Sequence, residues 1–504
     1  MSRSDTRLVR DTILTVVALV ALRLVCAAFT PLTFDEAYYW TWSKHLAGGY
    51  YDHAPMVALV IRLGTMLAGD TAFGVRLVSI LLALPMSWAV YRTAMLLFGS
   101  RRMASSAAIL LNVTLMVAVG TLIVTPDAPL MVTSSFVLLC LAEVLVTGRG
   151  IWWLAVGAAV GAALLSKYTA LFLGPSILLW LVLVPKLRRW LISPWPYLGG
   201  VIAFVLFSPV ILWNADHQWV SFIKQFGRAR IDGLTARYII ELVPTQIAFA
   251  TPLVFILAAM GLSALIQRKD GAYAARVLIS VMVWVIVIYF IAHSLHSRVE
   301  ANWFAPIYPA LALAAAVAAT VTRWSPPAQR LADFCSRWAA PLGIVMFAAL
   351  TLQANTGLLS GYRRDASVRS IGVGWRDLAA RIETVRERTG ATCVLAQDYG
   401  TTSWLAFYLP KGTCVVERGE RIRWVNLPEP DPALLKGKLL YIDEPKPNEQ
   451  WMKDTFAHVE TVAELQRKRG PLVIETYQVD LLEGPTGDVL DRSPPPELRP
   501  KVEK

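Results

Sequence analysis

Residues 34–45 read Phe34-Asp35-Glu36-Ala37-Tyr38-Tyr39-Trp40-Thr41-Trp42-Ser43-Lys44-His45, and residues 48–56 read Gly48-Gly49-Tyr50-Tyr51-Asp52-His53-Ala54-Pro55-Met56. Acids, histidines and aromatic rings crowd this stretch, directly behind an apolar run at 12–30. That run ends in Thr-Pro-Leu-Thr-Phe-Asp-Glu rather than in an A-x-A-like cleavage site, so it reads as a retained helix and not a signal peptide. A polar, ring-rich loop behind a retained span is what a membrane rim looks like in sequence.

The rest of the chain agrees. Of its 504 residues 56% are hydrophobic and 17% charged, and the mean hydropathy is +0.50. This composition excludes a disordered chain, a disulfide-rich miniature fold and an ordinary cytosolic enzyme. Apolar stretches able to cross, or nearly cross, a ~30 Å hydrocarbon core run over 12–30, 72–98, 103–124, 127–147, 151–165, 168–185, 195–213, 246–266, 277–294, 303–322 and 338–356. The expected architecture is therefore a polytopic α-helical membrane protein with about eleven transmembrane helices, over residues 1–359. Residues 360–504 are expected to form a small C-terminal α/β domain.

The formal charge is +12. In a soluble protein that value would suggest a nucleic-acid partner. Residues 360–504, however, balance 22 Lys and Arg against 22 Asp and Glu, which leaves the membrane half with 26 basic and 14 acidic residues. With the N-terminus inside, sixteen cations, among them Arg3, Arg101, Arg102, Arg188 and Arg189, fall in inside loops and eight in outside loops. The positive-inside bias sets the orientation. An odd number of crossings then puts the tail on the outer, periplasmic face, and no nucleic-acid partner is expected.

In the tail, periodicity predicts a helix at 375–389 stopped by Gly390, a strand at 392–397 and a helix at 401–409 ended by Pro410. Strands at 414–417 and 438–442, a helix at 448–465 and a strand at 472–481 follow, and 492–504 reads as a loose end. Cys393 and Cys414 each open a strand, and two readings stay open: a disulfide between adjacent strands, or two buried thiols. The tail carries no Gly-rich phosphate loop, no zinc spacing and no nucleophile elbow, so chemistry is not expected there.

Polar residues of the membrane half gather on the outer side. Besides the first loop there are Thr125-Pro126-Asp127-Ala128-Pro129 and His293-Ser294-Leu295-His296-Ser297-Arg298-Val299-Glu300-Ala301-Asn302-Trp303. Ionisable groups near a membrane are costly and are functional candidates by default. Asp35 and Asp127 stand without a charge partner within helical reach, which makes them the two catalytic candidates. The rings of the first loop read equally as an interfacial belt. His293-x-x-His296 with His53 could bind a metal, but no nearby Cys or carboxylate spacing supports such a site, so no metal or other cofactor is expected to be required. Lys224, Arg228, Arg230 and Arg237 read as a solvated or headgroup-contacting face.

These motifs, Asp35-Glu36-Ala37-x-Tyr39, Tyr51-Asp52-His53-Ala54-Pro55, Thr125-Pro126-Asp127-Ala128-Pro129 and Val299-Glu300-Ala301-Asn302-Trp303, resemble the GT-C membrane glycosyltransferases. The likeness is to the branch of lipid A aminoarabinose transferases, lipopolysaccharide-core galacturonosyltransferases and protein O-mannosyltransferases, and Ala396-Gln397-Asp398-Tyr399-Gly400-Thr401 resembles the outer domain of that branch. The resemblance implies a polyprenyl-phosphate-linked sugar donor, a lipid or glycan acceptor and single-displacement, inverting transfer. It makes Asp35 the general base. For the donor phosphate it offers His53, Arg298 or Lys167, and for substrate binding Glu36, Tyr38, Tyr51, Asp52, His296, Glu300 and Asn302. Aminoarabinose transferases carry Glu-Lys-Pro around the position of His53, and this departure turns the expected donor sugar toward a galacturonosyl or mannosyl unit, whose carboxylate, if present, Arg228, Arg230 or Arg298 would meet. Two other readings remain: a protein hydroxyl as acceptor, and a transporter. Against the transporter stand the absence of an internal repeat and the placing of the acids at one rim.

Overall fold

The computed structural model describes residues 3–227, 233–267, 272–320, 324–358, 366–445, 449–494 and 498. They divide into two compact units, Met1–Ala27 with His53–Ala348, and Ala28–Asp52 with Ala349–Lys504. The sequence placed a single boundary at 359/360; here the first polar loop is grouped with the tail instead.

The first unit is helical. Among the described residues seven helices are long and apolar enough to cross a membrane, and three further pairs, Arg101–Val113 with Leu115–Leu122, Tyr168–Leu183 with Pro185–Ile192 and Arg237–Phe249 with Pro252–Leu265, are bent by 57°, 119° and 101°. The remaining apolar run is the short helix Trp152–Ser166. The chain is thus a multi-pass membrane protein, and the described part of each expected apolar run is helical, either in one piece or as a broken pair. The breaks have local causes. Val184 is extended ahead of Pro185, as a pre-proline residue prefers, and Thr251 takes φ 65° ahead of Pro252. At the first break Thr114 caps the new helix by accepting from Val117 N–H. Arg23, fully buried, donates to the Asn112 carbonyl at 2.6 Å and to its side-chain oxygen at 3.2 Å. An intramembrane arginine here ties up backbone near the break rather than reaching a substrate. Close packing relies on small residues: a Cβ on Gly157 would lie 2.0 Å from the Gly199 carbonyl oxygen, so these two helices meet backbone to backbone.

The second unit is an α/β layer. Its sheet has the order β2-β1-β3-β5-β4, with β1 Cys393–Ala396, β2 Cys414–Glu417, β3 Leu439–Asp443, β4 Phe456–Arg469 and β5 Leu472–Pro485. β1 runs parallel to both β2 and β3, while β5 runs antiparallel to β3 and β4. Cys393 and Cys414 are register partners and form the disulfide. The helix Trp375–Thr389 ends at Gly390 in the left-handed conformation, as expected. One expectation fails. The helix anticipated over 448–465 is a helix only at Glu449–Thr455 and then becomes the edge strand β4. The first polar loop belongs to this unit's core: Ala37 packs with Trp375, Leu378 and Trp404, Trp404 Nε1 donates to the Leu32 carbonyl at 3.1 Å, and Thr33 bridges to Ile371.

Candidate functional sites

Each unit holds one buried polar centre. In the α/β unit it is built on the helix Phe34–Lys44. Thr33 caps that helix and Glu36 returns the bond, its Oε2 accepting from Thr33 N–H at 2.9 Å. In this capping box Glu36 is buried and its carboxylate serves the helix start. Asp35, one position earlier on the first turn, points the other way: Tyr399 Oη donates to its Oδ1 at 3.1 Å. Tyr399 is itself fixed as the first residue of the helix Tyr399–Tyr408, whose N-cap is Asp398.

Around this pair sits a cation the sequence reading missed. Arg423 donates from Nη1 to Asp52 Oδ2 at 2.6 Å and also pairs with Glu420. Its guanidinium lies 4.4 Å from the ring centre of Tyr399, 5.2 Å from that of Tyr51 and 5.9 Å from that of Tyr38, a ring cage suited to a planar cation. Tyr38 Oη donates to Asp52 Oδ2 at 3.0 Å. Tyr38, Tyr51 and Asp52, the expected substrate contacts, are all neighbours of Arg423. Burial pushes the Asp35 carboxyl up to about 6; the Tyr399 hydrogen bond pulls it down, Asp52 pushes it up and Arg423 pulls it down. Burial and then the charge of Asp35 hold the Tyr399 phenol above its usual range, so it remains a donor. At pH 7 a carboxyl of this kind is about nine-tenths ionised, the state a general base needs.

In the helical unit the centre is Asp127, the first residue of the helix Asp127–Thr147. Lys167 Nζ lies 2.7 Å from Oδ1, with side chains only 7% and 2% exposed. Asn302 Nδ2 donates to Oδ2 at 2.7 Å and Thr125 Oγ1 donates to the same oxygen at 3.2 Å. Asp127 has no charge partner within helical reach in the sequence, and the fold brings it one from forty residues away. A carboxylate held by three donors is well placed to position Lys167. Lys167 also lines a cavity of about 340 Å³, together with His53, Tyr168, Phe172, His293 and Trp303. His53 and Lys167 are therefore the phosphate candidates that share a cavity. Arg298 does not line it: it is 68% exposed and pairs with Glu241 at 3.7 Å and Glu300 at 3.9 Å. Glu300 is accordingly a surface ion-pair partner, and His296 is a ring neighbour of His293 at 4.7 Å. Arg228 and Arg230 lie outside the described residues. Among the described residues no group of three or more His, Cys, Asp or Glu could hold a metal ion.

A broken-helix membrane unit with a small α/β unit, into which a carboxylate-bearing first loop is folded, is the architecture of the GT-C membrane glycosyltransferases, and the chain has that fold. Residues 52–213 match the family described as dolichyl-phosphate-mannose-protein mannosyltransferase. A lipid A galacturonosyltransferase, RgtD of Rhizobium johnstonii, is 27% identical over 308 residues, which take in 60% of this chain and 64% of that relative. The chain thus matches just under two thirds of the length of this relative. The crystal structure of ArnT from Cupriavidus metallidurans bound to undecaprenyl phosphate superposes with a TM-score of 0.64 at 16% identity, covering 93% of this chain and 97% of that one. The mycobacterial arabinofuranosyltransferase AftD reaches a TM-score of 0.50 at 15% identity, covering 96% of this chain and 42% of that one.

Proposed function

We propose that the protein is an inverting glycosyltransferase that moves a monosaccharide from a polyprenyl-phosphate donor to a lipid or lipopolysaccharide acceptor at the periplasmic face of the inner membrane. The observation that carries this reading is Asp35: a half-buried carboxylate, hydrogen-bonded by Tyr399 and raised to about 6, with the basicity to take a proton from a hydroxyl in the transition state. The acceptor oxygen attacks the anomeric carbon, the bond from that carbon to the phosphate oxygen breaks, and the hydroxyl proton passes to Asp35. The lipid phosphate leaves as an anion and needs a cation rather than an acid. The cavity at Lys167, whose mostly aromatic and aliphatic lining also carries His53, His293, Thr169 and Gln225, has the chemistry for a phosphate carried on a lipid. Support also comes from the relative named as a lipid A galacturonosyltransferase and from the ArnT structure bound to undecaprenyl phosphate. The charge bias of the loops supports a cytoplasmic N-terminus and a periplasmic α/β unit.

The mannosyltransferase family match favours a second reading, in which the same chemistry serves a protein Ser or Thr hydroxyl. Mass spectrometry of lipopolysaccharide, lipid-linked sugars and secreted glycoproteins from a deletion strain separates the two. The proposal expects one lipid or lipopolysaccharide species to lose a sugar and the corresponding lipid-linked sugar to accumulate; unchanged lipids with under-glycosylated proteins would overturn it.

A further inference from the structure

Another cavity of the helical unit, about 270 Å³, shares no lining residue with the one at Lys167. It is a groove between the helices Trp152–Ser166, Leu173–Leu183 and Pro194–Asp216, with Trp190 and Leu191 of the turn Pro185–Ile192 also in its wall. That turn is bent by 119° from the helix before it, so it lies across the spans. Its apolar side chains Leu187 and Trp190 are buried, while Lys186, Arg188 and Arg189 are exposed. None of these three cations pairs with an acid among the described residues. From the turn the groove runs into the membrane: Pro196 and Ala203, both in its wall, stand about 10 Å apart along one helix.

Four glycines line this groove, and they divide into two kinds. A Cβ on Gly157 or Gly199 would lie 2.0 or 2.3 Å from a facing carbonyl oxygen, so the helix contact requires both. A Cβ on Gly174 or Gly200 would meet nothing within 4 Å, and neither glycine has a positive φ. Glycine weakens a helix, yet neither packing nor backbone conformation calls for these two, and both are exposed. What their missing side chains provide is the open groove itself. Its occupant must be apolar along its length, to lie against Val160, Ile177, Leu178 and Leu181, and negative at the end beside the turn. It must also bring acceptors. Trp153 and Trp190, 2% and 6% exposed, belong to the lining, and neither indole Nε1 has a hydrogen-bond partner. An indole N–H only donates, and a buried donor at membrane depth calls for an acceptor. The ester carbonyls of a glycerolipid, between its headgroup and its chains, are acceptors at that depth.

We propose that this groove is a binding site for an anionic glycerophospholipid, with the phosphate at Lys186, Arg188 and Arg189 and one acyl chain along Gly174 and Gly200. On the orientation proposed above, the lipid comes from the cytoplasmic leaflet. The site is separate from the transfer chemistry and does not depend on it.

The test is native mass spectrometry of the full chain with dioleoyl phosphatidylglycerol and dioleoyl phosphatidylcholine in equal amounts, reading which lipid stays bound. Phosphatidylglycerol should be retained in preference. Lys186→Gln combined with Arg189→Gln should weaken it about thirtyfold and remove the preference. Gly200→Leu places a side chain in the groove, where its Cβ meets nothing within 4 Å, and keeps all three cations; it should weaken phosphatidylglycerol about tenfold. Gly174→Leu repeats that test from another wall, with thermal melts in phosphatidylcholine confirming the fold of each variant. Equal retention of the two lipids by the wild type, or indifference to both glycine variants, would overturn the site. So would displacement of phosphatidylglycerol by an equal amount of undecaprenyl phosphate, which would give the groove to the donor lipid.

Discussion

Two acid–cation pairs, one in each unit, are built to different ends. Lys167–Asp127 is a point charge at 2.7 Å from one carboxylate whose other oxygen is taken by Asn302 and Thr125. Arg423–Asp52 is equally short at 2.6 Å, but its cation lies among the rings of Tyr38, Tyr51 and Tyr399 and also reaches Glu420. In the first, the acid is saturated and the lysine borders a cavity. In the second, the arginine is confined and helps to lower the carboxyl of Asp35 beside it. On the proposed function, one pair would hold a cation ready for an anion and the other would adjust the base.

Removing the adjusted base itself should have the largest effect. Asp35→Asn is expected to lower transfer by about 10²–10⁴-fold, measured as turnover at matched protein levels. Because burial raises the Asp35 carboxyl in the fold, ionising it costs stability as pH rises from about 4 to about 6. Asp35→Asn should therefore be more stable than the wild type at pH 8 by about 1–3 kcal/mol, and a lower melting temperature there would contradict the burial.

Breaking the other pair should act on the fold. Lys167→Ala leaves Asp127 charged and buried, at a cost of about 3–5 kcal/mol, whereas Lys167→Ala with Asp127→Asn should recover most of the melting temperature without recovering transfer. Recovery of transfer by the double variant would mean that Lys167 holds no substrate. Reduction of the Cys393–Cys414 disulfide, which joins residues 21 apart, should cost the α/β unit about 3 kcal/mol, read as earlier loss of its near-ultraviolet signal in denaturant. The smallest change expected is from Arg423→Lys, which keeps the charge and loses the planar stacking: turnover should fall about tenfold, with the acid limb of the pH profile moving upward. An unmoved limb would separate Arg423 from Asp35.

The same contrast explains what the sequence could reveal. The apolar runs, the helix stopped by Gly390 and the loop carrying Asp35 are local patterns and were legible. Arg423 was not, since its partner Asp52 lies 371 residues away and the segment Arg421-Ile422-Arg423-Trp424 follows no motif of its own. The strand β4 was misread as a helix for a related reason. It is a partly exposed edge strand whose state is set by pairing along β5 from Phe456 to Arg469, and its own residues alternate too weakly to announce it. Asp127 was legible as a functional candidate but its role was not, because Lys167 comes from a separate helix break.

The central claim is that Asp35 is the base that activates the acceptor. It is tested most directly by the pH dependence of kcat/KM for sugar transfer, with the lipid-linked donor isolated from a deletion strain. The account predicts an acid limb with a midpoint near 6 and a slope of one, absent from the residual activity of Asp35→Asn. A profile that is flat from pH 5 to pH 8, or a limb that survives in Asp35→Asn, would contradict it.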